Sequence, residues 1–387
     1  MLMVLLEIFL WLCIFIFCFN YFLYPLIIIA LSKVLTDKHL DNIDELYTLP
    51  KVSLIIAAYN EEKVIRGKIE NSLKLLYPED KFEIIVVSDG SNDETHNIVR
   101  SYSDYNVISL HDNERNGKSA ALNRGVEIST GEIIVFSDAN NDFSENAITK
   151  LIQHFSDETV GAVTGAKHIY DGDDRESAQG DGLYWKYESA IKKAESHLGS
   201  ITSGDGEIFA VRKSLFKPIN KNLINDDASI TFDIVKSGYR VLYEPEAGSY
   251  EDASIDLIDD FHVKVRMTAG GYQTIKHEFN YLFPPKSTFS IQFICHKVLR
   301  WLAPHFLLVI FILSLLLSSN NFYLLLFLAQ IIFYSIALYG WKNRKLNNLP
   351  SYIYITMYFT LMNTALFYGF LRHLKGNQKV QWRKAER

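Results

Sequence analysis

Four carboxylates carry the chemistry this sequence is equipped for. Asp89 stands in I-I-V-V-S-D-G-S, Asp138 in I-I-V-F-S-D-A-N, and Asp226 and Asp227 in I-N-D-D-A-S-I. The first two each follow a run of β-branched and aromatic residues. They therefore fall where strands of an α/β sheet end, and such sheets bind ligands at those ends. An ionised carboxylate offers only acceptors, which suits Asp89 to the base or ribose of a nucleotide, although Asp-Gly-Ser is also ordinary turn chemistry. Asp138 and Asn140 put a carboxylate and an amide oxygen in one short loop, a pair suited to a Mg2+ or Mn2+ ion that neutralises a diphosphate. Asp142 is the alternative partner, or a helix cap. Asp227 is the candidate general base, because a hydroxyl is a poor nucleophile near neutral pH and a nearby carboxylate takes its proton as attack proceeds. The plainer reading of Asp226-Asp227 is an acidic first turn favoured by the helix dipole. Being adjacent, the two cannot face the same spot, so one points into the cleft while the other caps or orients.

The elements that must position these groups alternate. Strands are predicted at residues 51–57, 82–87, 106–110, 132–136 and 160–164, with helices from about Glu61 to Leu76, after Asp89–Glu94, and over Gly117–Ile128. Strands alternating with helical patterns predict an α/β fold with a mostly parallel sheet flanked by helices. The first strand runs into A-A-Y-N-E-E rather than G-x-G-x-x-G, and no Walker A sequence is present. A dinucleotide seat and a P-loop are both excluded, so a nucleotide must be held another way.

Both ends of the 387-residue chain are apolar and the middle is polar; apolar residues make up 48% and charged ones 22%. The net charge is −6 and no basic stripe with interleaved aromatics occurs, so no nucleic-acid partner is expected. Cys13, Cys18 and Cys295 lie in or beside apolar segments and read as small membrane residues. Residues 2–31 lack a basic start and a cleavage site and read as a membrane anchor. Lys33 and Lys38 follow it, which puts the middle of the chain in the cytoplasm of a multi-pass protein of the cell membrane. Leu302–Leu317, Phe322–Gly340 and Tyr352–Leu371 are further candidate spans, and Ser290–Trp301 reads either as an interfacial helix or as the cytoplasmic end of the next span. One plus three spans would place the basic tail outside, against the same charge rule, so a cytoplasmic tail is expected and one segment is miscounted. The resulting organisation is an anchor at 1–35, a cytoplasmic domain at 50–250, interfacial helices at 251–301, membrane helices at 302–371 and a basic tail at 372–387.

Taken in order, A-A-Y-N-E-E, V-V-S-D-G-S-N-D-E-T, N-G-K-S-A-A-L-N-R-G, F-S-D-A-N, S-G-D-G-E-I-F-A-V-R, N-D-D-A-S-I and K-V-R before membrane helices resemble the membrane-embedded family-2 glycosyltransferases. These include the synthases of cellulose, hyaluronan and poly-N-acetylglucosamine. The resemblance implies a glycosyltransferase A-type domain and a nucleotide-sugar donor, a UDP- or GDP-sugar. It implies that Ala57, Tyr59 and Glu61 line the nucleotide pocket, that Asp89 contacts the nucleotide and that Lys118 approaches its diphosphate. Asp138 and Asn140 stand at the family's metal-binding Asp-x-Asp, with Asn replacing the second Asp. Gly204, Asp205 and Glu207 fall in the segment that meets the acceptor, and Asp227 takes the place of the catalytic base.

Processive members carry Gln-x-x-Arg-Trp near the cleft; here Val263–Met267 keeps Arg266, suited to a diphosphate, and loses the Gln and the Trp. Met267 cannot stack on a sugar as a tryptophan does. The expected activity is inverting transfer of a sugar to a saccharide or lipid-linked acceptor at the cytoplasmic face of the lipid bilayer, in extracellular polysaccharide or glycolipid synthesis. The alternatives are a polyprenyl-phosphate sugar transferase and a catalytically silent nucleotide-sugar-binding membrane subunit. His154, His168, His197, His262 and His277 show no metal-ligand spacing. The Asp- and Gly-rich stretch Tyr170–Asp181 reads as a loop near the acceptor entrance, and Trp382 and Arg383 as an interface anchor.

Overall fold

A computed structural model describes residues 1–35, 48–170, 176–252, 257–344 and 349–376, with side chains from residue 185 onward in the helix that opens at Glu176. Lys38, residues 171–175 of the Tyr170–Asp181 stretch, and Trp382 and Arg383 lie outside the described residues. The described residues divide into two compact units, one of 1–27 with 257–376, the other of 28–252.

At the N-terminus α1 (Leu2–Cys18) and α2 (Tyr24–Val34) run as one 33-residue apolar helix. They join through a π-turn at Phe19–Leu23, just before Pro25, which has no N–H to give the helix ladder.

The sheet unit follows. In chain order it holds β1 (Val52–Ala58), α3 (Ile65–Ser72), β2 (Phe82–Asp89), α4 (Thr95–Arg100), β3 (Val107–Asp112), α5 (Lys118–Ile128), β4 (Ile133–Asp138), β5 (Asp142–Phe143), α6 (Ala147–Ile152), β6 (Val160–Ile169), α7 (Glu176–His197), β7 (Ile208–Arg212), α8 (Asp226–Lys236) and β8 (Arg240–Glu251). The eight strands form one sheet in the order β3-β2-β1-β4-β7-β6-β8-β5. β1, β2, β3 and β4 are parallel, as expected. The other half is mixed: β7 runs antiparallel between β4 and β6, β6 pairs parallel with β8, and β5 pairs antiparallel with β8. Successive strand residues point to opposite faces. Leu54 and Ile56 accordingly join one core with Ile65, Ile69, Ile148 and Leu151 of α3 and α6, while Ile55 joins a second with Ala121, Leu122, Ile230 and Ile234 of α5 and α8. α3 is shorter than the Glu61–Leu76 expectation, because Asn60–Glu62 bond to the loop after β2 instead. The Tyr170–Asp181 stretch is helical from Glu176.

The remaining helices are α9 (Leu257–His277), α10 (Phe279–Leu282), α11 (Thr288–Phe293), α12 (Leu299–Leu316), α13 (Asn321–Lys342) and α14 (Ser351–Leu374). α11 and α12 are continuous through a π-turn at Ile294–Val298, so the boundary expected at 301/302 falls inside one helix, which keeps Pro304 within it. Among the described residues three helices are long and apolar enough to cross a membrane: Leu2–Val34, Thr288–Leu316 and Asn321–Lys342. The stretch Tyr352–Leu371, in α14, is not one of them; its tyrosines, threonines and Asn363 dilute the apolar surface. α9 packs on its neighbours through small residues: a Cβ at Gly271 would lie 2.5 Å from the Trp301 ring, and one at Gly369 2.6 Å from Thr268.

Candidate active site

The carboxyl ends of β1, β2 and β4 lie side by side. Ala57 pairs with Val87 on one side and Asp138 on the other, and Asp89 pairs with Asp112 of β3. Beyond β1, the loop bearing Tyr59 and Glu61 is stitched to residues 91–95. The Asn60 N–H donates to Ser91 Oγ at 3.1 Å, the Glu61 N–H to Thr95 Oγ1 at 2.7 Å, and the Asn92 N–H to Asn60 Oδ1 at 3.0 Å. Asn60 adopts φ 54°, a left-handed conformation that asparagine tolerates better than most residues. The Arg115 guanidinium lies 3.7 Å from the centre of the Tyr59 ring, a cation–π pair at the edge of the expected nucleotide pocket.

Asp89 is buried, and both its oxygens are engaged by the chain itself. They accept the N–H groups of Asn116 (3.1 and 3.2 Å) and Gly117 (2.6 Å) and the Arg124 guanidinium (3.1 Å), which also reaches Asp112 at 2.6 Å. The sequence suggested a nucleotide contact. The observed work of this carboxylate is to fix the turn that opens α5 and delivers Lys118. Gly90 makes that turn possible, since a Cβ there would lie 2.6 Å from the Arg115 backbone nitrogen.

Lys118, Asp138, Asp226 and Asp227 converge around Gly206. The Lys118 Nζ lies 2.5 Å from Asp138 Oδ1 and 3.5 Å from the Gly206 carbonyl. A Cβ on Gly206 would lie 3.6 Å from Asp226 Oδ1, 3.6 Å from Asp227 Cβ and 3.7 Å from Lys118 Nζ. Asp226 is buried; its Oδ1 accepts the Asp227 N–H at 3.1 Å, and its Oδ2 has no hydrogen-bond partner among the described residues. Burial and the Asp226 carboxylate push Asp227 up to about 7, Asp205 adding to this, against the Ala228 N–H and the Lys118 ammonium. Burial opposes the charge on Lys118, but Asp138, Asp226 and Asp227 outweigh it and hold the ammonium above its ordinary value.

The expected acceptor segment is anchored from below. Gly204 leaves no room for a side chain, since a Cβ would meet the Phe209 ring at 2.9 Å. The Asp205 carboxylate accepts from Lys192 at 2.7 Å, and Glu207 accepts from Lys167 at 2.9 Å and from Ser249 at 3.2 Å. Lys167 also pairs with Glu251. Glu207 therefore joins a buried ion network, which Asn141 extends by donating to the Glu207 carbonyl and to Ser249. Lys192, Lys167 and Asn141 were not singled out in the sequence. The lysines lie in helix and strand with no motif around them, and Asn141 is masked by the Asp-x-Asn it adjoins. Asp142 forms part of β5 and accepts from the Tyr170 hydroxyl at 2.7 Å, so it neither caps a helix nor joins the cluster. Arg266 lies on α9, in the helical unit.

Asp138, with a side chain 36% exposed, and the partly buried Asn140 offer only oxygen donors, which fits a hard divalent cation. The unpartnered Asp226 Oδ2 is a further acceptor oxygen beside Gly206. No group of three or more His, Cys, Asp or Glu side chains suited to a metal occurs among the described residues, so such an ion would rely on the Asn140 amide and on its ligand's own oxygens.

Residues 53–219 match the glycosyl transferase family 2 model. The chain is homologous to the probable glycosyltransferase YdaM of Bacillus subtilis, 32% identical over 217 residues that cover 52% of this chain and 51% of that protein. It is likewise homologous to the poly-beta-1,6-N-acetyl-D-glucosamine synthase of Staphylococcus aureus, 27% identical over 248 residues, 62% of this chain and 58% of the synthase. The chain thus spans somewhat over half the length of these curated relatives. Among solved structures, the mannosyltransferase PcManGT from Pyrobaculum calidifontis, in complex with GDP-Man and Mn2+, shares the fold. The TM-score is 0.72 at 21% identity, over 94% of this chain and 97% of that one.

Proposed function

We propose that this chain, whose residues 53–219 match the glycosyl transferase family 2 model, is an inverting transferase that moves a sugar from a UDP- or GDP-sugar to a saccharide or lipid-linked acceptor. The reaction takes place at the cytoplasmic face of the membrane, in the synthesis of an extracellular polysaccharide or glycolipid. The observation that carries this reading is the convergence of Lys118, Asp138, Asp226 and Asp227 on the open side of Gly206. Asp227 is the base. A carboxyl group raised to about 7 is matched to accepting a hydroxyl proton near neutral pH. As it does so, the acceptor oxygen forms its bond to the anomeric carbon, and the bond from that carbon to the diphosphate oxygen breaks on the opposite face. A single displacement needs one base and no nucleophilic carboxylate. Asp205 and Glu207 suit it, because Lys192 and Lys167 neutralise them.

The donor's nucleotide lies along Ala57, Tyr59 and Glu61, with Lys118 on its diphosphate side. A Mg2+ or Mn2+ ion held by Asp138 and Asn140 would neutralise the charge that develops on the leaving diphosphate. The GDP-Man and Mn2+ bound by the mannosyltransferase that shares the fold support this choice of donor class and ion. The polysaccharide synthase among the relatives supports the product class.

The test offers a panel of UDP- and GDP-sugars with Mg2+ or Mn2+ to membranes carrying the protein and follows nucleoside diphosphate release. One donor is expected to turn over, and Asp227→Asn to slow it by about 10²–10⁴-fold. Release that is insensitive to Asp227→Asn would remove the base and favour a phosphate acceptor; turnover unchanged in EDTA would remove the ion.

A further inference from the structure

Lys118 and a divalent ion make the same demand on one oxygen. The Lys118 ammonium lies at hydrogen-bonding distance from Asp138 Oδ1, 2.5 Å; the lysine side chain is 16% exposed while that of Asp138, at 36%, stays open to solvent and to an incoming ion. Mg2+ sits about 2.0–2.1 Å from a carboxylate oxygen and uses the same lone pairs. We propose that Lys118 is a movable counter-ion, which holds Asp138 in the resting protein, must release it for a divalent ion to bind, and is drawn off by the diphosphate of the nucleotide. Ion and nucleotide therefore bind cooperatively. This rests on the reading of Asp138 as a metal ligand given above.

The surroundings allow the movement. Lys118 is the first residue of α5, and the preceding Gly117, at φ 96°, is pinned by its N–H to Asp89 at 2.6 Å. The backbone is thus fixed, and the four-carbon stem supplies the travel. At the position facing Nζ the chain has Gly206, which leaves the ammonium room that any longer side chain would take. On leaving Asp138 the ammonium stays beside the Asp226 and Asp227 carboxylates, so it does not become an unpaired buried charge, which would be costly. The displaced lysine then meets the diphosphate while Asp138 meets the ion, and each ligand prepares the site for the other.

The experiment measures Mn2+ binding to the purified full chain by the loss of the free-ion paramagnetic signal, without nucleotide and with UDP or GDP. Lys118→Gln is expected to bind Mn2+ about tenfold more tightly than wild type without nucleotide, and to lose most of the enhancement that nucleotide brings. Lys118→Arg keeps the charge and is expected to stay as weak as wild type. Equal Mn2+ affinities in wild type and Lys118→Gln, or Lys118→Arg binding as tightly as Lys118→Gln, would overturn the inference while leaving the metal reading intact. A wild-type affinity that neither UDP nor GDP changes would also overturn it, whether or not Lys118→Gln folds. Asp138→Asn separates the two failures: if it binds Mn2+ like wild type in the presence of nucleotide, the metal reading is wrong and the inference falls with it.

Discussion

Asp227 works beside a like charge. Burial and the neighbouring Asp226 carboxylate raise it to about 7, so it is ionised, and able to accept a proton, only as the pH rises through that value. The rate profile should therefore show an acid limb near pH 7. Asp226→Asn removes the like charge and favours the ionised form of Asp227, so the limb should move about one unit toward lower pH. An unmoved limb in a pH series of kcat/KM would assign the titration to another group. At this scale the sequence was legible where a residue's position follows from an element's end: Asp138 closes β4 and Asp227 lies in the first turn of α8, as read, whereas Lys118 entered only through the resemblance. It was less legible where a role depends on a partner far along the chain. Nothing local to Glu207 or Asp205 points to Lys167 or Lys192, and nothing local to Asp89 shows that Asn116, Gly117 and Arg124 occupy it.

Among the elements, the parallel strands were readable because their Ile- and Val-rich runs are buried on both faces. β7 and β8 were not. β7 is only Ile208–Arg212, and β8 carries Glu244, Pro245 and Glu246 in its middle, where its register against β6 shifts between Tyr243 and Gly248. A bulge of this kind breaks the alternation on which strand recognition rests. β8 nonetheless ties the segment expected to meet the acceptor to the sheet, since its Ser249 and Glu251 meet Glu207 and Lys167. Lys167→Met would leave Glu207 and Glu251 buried without their cation. Breaking a buried ion network in this way should cost about 3–5 kcal/mol, read as a lowered denaturation midpoint of the sheet unit. A change within about 0.5 kcal/mol, the usual size of a surface substitution, would show that the network does not hold this edge.

For the whole molecule, three helices among the described residues are apolar enough to cross a membrane, and three crossings rather than four would resolve the conflict in the charge pattern. We propose crossings at Leu2–Val34, Thr288–Leu316 and Asn321–Lys342, which would return the chain after the third to the side of its middle. Arg372 and Lys375, at the end of α14, would then lie on the side with Lys33, in keeping with the positive-inside bias. Single cysteines introduced at Lys375 and at Asn320, between α12 and α13, should label from opposite faces of sealed membranes, Lys375 from the cytoplasmic one. Labelling of both from one face would restore a fourth crossing or remove one. The most direct test of the central claim, that Asp227 deprotonates an acceptor in a single displacement at the Gly206 cluster, is the configuration of the first-formed product by NMR. Using the donor that turns over, the account predicts an anomeric centre inverted relative to that donor. A product formed with retention would require a second displacement and would contradict it.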